Sequence, residues 1–105
     1  MIFSTRSVSL MQAGKKTQTT RLKDPRVKVG GVYSVRRSWY KKENFGKIRI
    51  LSKERTTLAH YTRADLRREG YAEKEAFIEA LERINNEKIS LRTPVWKVIF
   101  QYMTS

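Results

Sequence analysis

The sequence predicts an α+β fold: a small closed or half-closed β-barrel with flanking helices over one opening. Three observations lead there. Short runs of β-type residues recur between Gly, Pro and Asp turn signals. One segment, residues 73–86, sets its apolar side chains at helical spacing. A length of 105 residues with 39% hydrophobic content suits one domain with a modest core. Residues 1–105 are therefore read as a single unit, with 1–6 and 103–105 as tails.

Taken in order, residues 8–13 form a short apolar helix or turn that Gly14 stops, since glycine suits the left-handed closing position. Residues 16–22 have β-propensity through Thr17, Thr19 and Thr20, until Asp24-Pro25 breaks the run. Val29-Gly30-Gly31 turns into a strand at 32–36, and 38–46 is a polar loop carrying Trp39, Tyr40 and Phe45. Lys47-Ile48-Arg49-Ile50 alternates charge with isoleucine, as in a strand with one wet face, and can run on toward Thr57. Thr62 and Asp65 have capping-box spacing, for a helix that Gly70 ends just after Glu69. In 73–86, Ala76, Phe77, Ala80, Leu81 and Ile84 form a stripe opposite Glu75, Glu79, Glu82 and Arg83. Pro94 opens an apolar strand at 95–100, buried on much of both faces.

Charge is the strongest global feature. The chain carries 23 Lys and Arg against 10 Asp and Glu, a balance of +13. Residues 1–57 hold 15 of the bases and three of the acids, +12, whereas 58–105 stand at +1. Such asymmetry makes one positive face, whose usual partner is a phosphate backbone. The alternative is the solvated surface of a charge-rich protein. No apolar run approaches a membrane span, and the first residues lack the order of a signal peptide. The absence of cysteine excludes disulfides and thiolate zinc sites. No metal and no cofactor is expected, cytoplasm is the default location, and the oligomeric state stays open.

Residues 13–21, AGKKTQTTR, place three threonines and three cations behind a glycine. Strand alternation puts Thr17, Thr19 and Arg21 on one face and Lys16, Gln18 and Thr20 on the other. Lys16 and Thr19 then meet only if the backbone bends between them. Lys15 and Arg21 disfavour the protonated form of Lys16, and burial would lower its pKa further, fitting it to act as a base toward a threonine hydroxyl. A basic loop that touches phosphates without chemistry is the plainer reading. Glu69 stands near a helix C-terminus, where the macrodipole raises a carboxyl pKa, unless one of the two preceding arginines holds it as a surface ion pair. His60 has no cysteine or second histidine to pair with and is read as structural. Arg36-Arg37-Ser38-Trp39-Tyr40-Lys41-Lys42 sets four cations around two aromatics, as single-stranded nucleic acid requires, unless the rings pack over a barrel end.

The run Gly14-x-Lys16-x-x-Thr19-x-Arg21 resembles the G-x-K-x-x-T-x-R signature of the ASCH domain family, a branch of the PUA-like superfamily. The Gly30-Gly31 turn before a Val-Tyr-Ser-Val strand follows in the family's order, as does a threonine-led segment ending in Glu69-Gly70. The resemblance covers roughly residues 7–102. It implies a small PUA-like β-barrel with flanking helices, a cleft, and association with RNA. One group of similar size hydrolyses acetylcytidine, and other members are reported to cleave RNA. By position, the implied catalytic set is Lys16, Thr19 and Glu69.

The expected function is binding of RNA or single-stranded nucleic acid, with an exposed or modified nucleotide in the cleft. Lys15, Arg21, Arg26, Arg36, Arg37, Trp39, Tyr40, Lys41 and Lys42 would contact backbone and bases. One alternative is a hydrolase of the ASCH type, an acetylcytidine amidohydrolase or an RNA-cleaving enzyme, using Lys16, Thr19 and Glu69. Another is a module for an acidic protein partner. The +12 half and its basic loop suit a polymer better than a free nucleoside.

Overall fold

The computed structural model describes residues 1–38, 40–41 and 43–104. Helix α1 (Thr5–Gln12) is capped by the Ser4 hydroxyl, which accepts from Ser7 N. Strands β1 (Gln18–Arg21), β2 (Val32–Ser34) and β3 (Lys47–Thr57) follow. A 3-10 turn at Leu58–His60 leads to α2 (Arg63–Glu69), α3 (Lys74–Asn85) and the last strand, β4 (Pro94–Met103). The α+β class holds, with one antiparallel sheet in the order β1-β4-β3-β2.

The barrel expected from the sequence does not close. The outer strands are four and three residues long, too short to curl into a ladder with each other, and no pairing joins them among the described residues. The first residues link the two edges instead. Ile2 bridges Arg36 in parallel just past β2, while Arg21 Nη2 at the end of β1 donates to Ile2 O at 2.8 Å. Residues 1–6, expected as a tail, are thus part of the packing: Phe3 is 5% exposed and Thr5 begins α1. At the other end Met103 still pairs with Lys47.

Side-chain alternation makes β4 serve two cores. Val98 and Phe100 face Ile48 and Ile50 of β3 together with Val8 and Met11 of α1. Val95, on the opposite face, joins Leu58 and Leu66 with Phe77 and Leu81 of α3. An extra residue at Leu51 shifts the β3 register between the Ile50–Phe100 and Ser52–Ile99 pairs, a bulge that turns the strand between these two cores. The capping box of α2 forms as spaced: Thr62 Oγ1 accepts from Asp65 N, and the Asp65 carboxylate accepts from Thr62 N. The α3 stripe is buried at Phe77, Ala80 and Leu81, but Ala76 is exposed at its start and Ile84 is 69% exposed at its end. The helix runs on past the core there, beside the cleft described next. Among the described residues no helix is long and apolar enough to cross a membrane.

Candidate ligand cleft

Gly14, at φ +73°, ends α1 and sends the chain into β1. Thr17 N donates to Arg68 O at 2.8 Å and Thr17 O accepts from Phe100 N at 2.9 Å, which fixes this stretch between α2 and β4. Lys16, Gln18 and Thr20 then all project toward the end of α2, as strand alternation requires. What they meet is Glu69, 2% exposed. Its Oε1 accepts from Lys16 Nζ at 3.3 Å, and its Oε2 accepts from Gln18 Nε2 at 3.0 Å and Thr20 Oγ1 at 2.6 Å. Thr20 spends its one proton on Glu69, so its oxygen accepts from the Tyr61 hydroxyl, 2.5 Å away.

The surface ion pair considered for Glu69 is not formed. Arg67 is exposed, and Arg68 donates through Nε to Gln18 Oε1 at 3.0 Å and through Nη2 to Asp65 Oδ1 at 2.7 Å. Lys97 Nζ reaches the same Asp65 oxygen at 3.3 Å. Gly70 closes α2 at φ +89°, where a Cβ would lie 2.7 Å from Leu10 Cδ1. Helix α1 therefore packs directly on the turn that holds Glu69.

Burial pushes the Glu69 carboxyl up, against the opposing pull of Lys16, Thr20 and Gln18. The direction matches the expectation, but the main cause is desolvation and not the helix terminus. Burial likewise pushes the Lys16 ammonium down, against Glu69 and helped by Arg21 and Arg6. The two groups are driven toward each other, which shrinks the cost of passing a proton between them. Burial raises the Tyr61 phenol and keeps it a donor. Asp65 behaves oppositely: against the burial that would raise it, Thr62 N, Arg68 and Lys97 hold its carboxyl low.

A cleft of about 130 Å³ lies between the N-terminal segment, β1 and α3. Lys16, Thr19, Arg21 and Glu69 all line it, beside the rings of Phe3 and Phe77. The four predicted positions thus open on one cavity, because β1 is an edge strand and residues of both its faces reach the rim. Lys16 and Thr19 are nevertheless not hydrogen-bonded to each other, and Thr19 has no side-chain hydrogen-bond partner among the described residues. Arg21 stands over Phe3 with its Cζ 4.9 Å from the ring centroid, and its Nε is buried without a partner among the described residues. Gln18, Thr20 and Tyr61 were missed as site residues. Alternation had already put Gln18 and Thr20 beside Lys16, so their signal was present. Tyr61, 41 residues from Thr20, had none.

Among the described residues the predicted nucleic-acid contacts do not form one cluster. Arg26 lines a second, wider cleft of about 760 Å³ with Arg21, and Lys15 lies beside Arg63 and Arg67 on another surface. Arg37 is held by Glu43, Nη2 to Oε2 at 2.5 Å, and stacks over Phe45, so its charge is already compensated. Arg36 is half-buried where Ile2 pairs with it, Tyr40 is 96% exposed and Lys41 is exposed. None of these four lines either cleft. Trp39 and Lys42 lie outside the described residues. His60 is exposed with Nδ1 3.1 Å from Thr57 Oγ1, and among the described residues no cluster of metal-ligating side chains occurs.

No family model and no curated protein matches the sequence. Solved structures match in fold. An ASCH domain from Lactobacillus crispatus JV V101 superposes with a TM-score of 0.71 at 15% identity, over 95% of this chain and 72% of that one. The hypothetical protein PH0355 gives the same score and identity, over 96% of this chain and 94% of that one. Protein EF3133 from Enterococcus faecalis V583 gives a TM-score of 0.62 at 15% identity, over 94% and 71%. At this identity the likeness establishes the fold. The chain is an ASCH-like domain in architecture, as the G-x-K-x-x-T-x-R run implied.

Proposed function

We propose that the chain binds RNA, or another single-stranded nucleic acid, and holds one exposed or modified base in the cleft beside β1. The composition of that cleft carries the reading: Lys16, Thr19 and Glu69 offer donors and acceptors next to the Phe3 and Phe77 rings, in about 130 Å³. A base has a flat face and a mixed donor and acceptor edge, and recognition of unpaired RNA uses both. The +12 charge of residues 1–57 supports a polymeric partner, whose phosphates release counterions on binding. The test is binding of a short single-stranded RNA and its duplex at rising salt. Preference for the single strand and a steep fall in affinity between about 50 and 200 mM salt are expected. Equal affinity for the duplex, or binding indifferent to salt, would sink the reading.

A second reading, hydrolysis of acetylcytidine, is favoured by one observation, the buried Lys16–Glu69 pair on the cleft that Thr19 also lines. In it, neutral Lys16 takes the Thr19 proton as the Thr19 oxygen bonds to the acetyl carbonyl carbon. Glu69 protonates the departing exocyclic amine as the C–N bond breaks, and Arg21 faces the developing oxyanion. Water then hydrolyses the acyl-threonine to acetate and frees Thr19. Turnover of acetylcytidine, free and within a short RNA, lost in Lys16→Ala, is the expected result; no turnover on either leaves a binding domain. Strand cleavage, the other hydrolytic outcome, is read from the same RNA on a gel.

A further inference from the structure

We propose that a phosphate subsite adjoins the base cleft on the far side of Arg21, so that the ligand is a nucleotide or a strand and not a free nucleoside. The inference rests on the base-cleft reading and adds the part of the ligand that reading leaves unplaced. The small cleft and the 760 Å³ cleft share Ile2, Arg21 and Asn85 as walls. The two clefts therefore adjoin at Arg21, and a ligand seated in the first is placed to extend past it into the second. With the base in the first, what extends outward is a ribose and its phosphate.

The second cleft has the chemistry for that group. Its walls carry Arg21, Lys23 and Arg26. Two carboxylates face them, Asp24 and Glu87. Asp24 is already committed: its Oδ1 accepts from Lys53 Nζ at 2.7 Å and from Arg26 N at 2.8 Å. Glu87 is exposed and screened by solvent. Arg21 supplies the strongest pointer. Its Nη2 is used on Ile2 O and its Cζ stands over the Phe3 ring, but its Nε is buried with no acceptor among the described residues. Buried polar groups are ordinarily satisfied, and a turn of the guanidinium toward the second cleft would give Nε a phosphate oxygen as acceptor together with a compensating charge. Lys23 and Arg26 are exposed and make no side-chain hydrogen bond among the described residues, so both are available to the same anion.

The phosphate could be a terminal monoester or a strand phosphodiester, which share this chemistry. Calorimetric titration of the full chain with cytidine, cytidine 5′-monophosphate, cytidine 3′-monophosphate and a cytidine dinucleotide separates them. At least one phosphorylated ligand is expected to bind about tenfold or more tightly than cytidine. In the Lys23→Gln/Arg26→Gln double variant, its fold checked by circular dichroism, that ratio should fall toward one. An advantage shown by a monophosphate assigns a terminal phosphate, and one confined to the dinucleotide assigns a phosphodiester. Cytidine binding as tightly as every phosphorylated form, or an advantage unchanged in the double variant, overturns the subsite and leaves the base cleft standing. Phosphorylated ligands that depend on Lys23 and Arg26 while cytidine fails to bind keep the subsite and overturn the base reading. Binding by none of the four overturns both.

Discussion

Replacing Lys16 by methionine removes the charged end of one member of the buried pair while keeping most of its length. The Lys16 and Glu69 side chains are 6% and 2% exposed, with Nζ 3.3 Å from Oε1. At an effective dielectric of about 20, two charges at that separation attract by about 5 kcal/mol. Removing one partner leaves the other stranded, which in buried pairs costs about 3–5 kcal/mol, a large share of a total stability of about 5–15 kcal/mol. The loss should depend on pH with a definite sign. The folded pKa of Glu69 is already raised and must rise further without Lys16, so the folded variant keeps a proton that the unfolded chain releases. Stability is then retained below the ordinary glutamate range and lost as pH rises through the folded pKa, by up to about 1.4 kcal/mol per pH unit. Urea unfolding of variant and wild type at about pH 5 and about pH 8 should show a gap that widens at the higher pH. The Lys16→Met/Glu69→Gln double variant should recover most of the loss, since the amide oxygen still accepts from Gln18 and Thr20. A gap below about 1 kcal/mol and equal at both pH values would refute the reasoning, because it is what a solvent-screened pair gives.

Other outcomes follow from the same geometry. Thr20→Val deletes the bonds to Glu69 and Tyr61 and should cost about 1–3 kcal/mol in thermal unfolding, whereas Thr19→Val should cost less than about 1 kcal/mol yet weaken binding of single-stranded RNA. Equal destabilisation by the two would contradict their opposite placement on β1. Gly46→Ala puts a Cβ 2.6 Å from the Met103 carbonyl at φ +109°, and calorimetry should show a loss above about 2 kcal/mol. Gly30→Ala, at φ +85° with open space around it, should lose only about 1 kcal/mol from backbone strain. Arg37→Ala should change RNA affinity less than Lys41→Ala, because Glu43 already compensates Arg37. A larger effect at Arg37 in a filter-binding series would show that the ion pair opens for the ligand.

What the sequence by itself determined is what neighbours along the chain decide. The Thr62–Asp65 box, the glycines that close α1 and α2, the stripe of α3 and the alternation of Lys47-Ile48-Arg49-Ile50 are properties of windows a few residues wide, and they were legible. So was the partition of residues 16–21 into a Lys16, Gln18, Thr20 face and a Thr19, Arg21 face, because side chains in an extended chain alternate. Only the tertiary structure decided that the first face ends on Glu69, about 50 residues away, and that Tyr61 completes the chain of hydrogen bonds. It also decided that the sheet stays open, with the first residues linking its edges. The pKa directions of Lys16 and Glu69 belong here too, since both groups are fully exposed in any local fragment and shift only once α1, α2 and β1 have excluded water. Local pattern sets which side of an element a residue takes. What stands on that side, and how dry it is, depends on contacts between elements far apart in the chain.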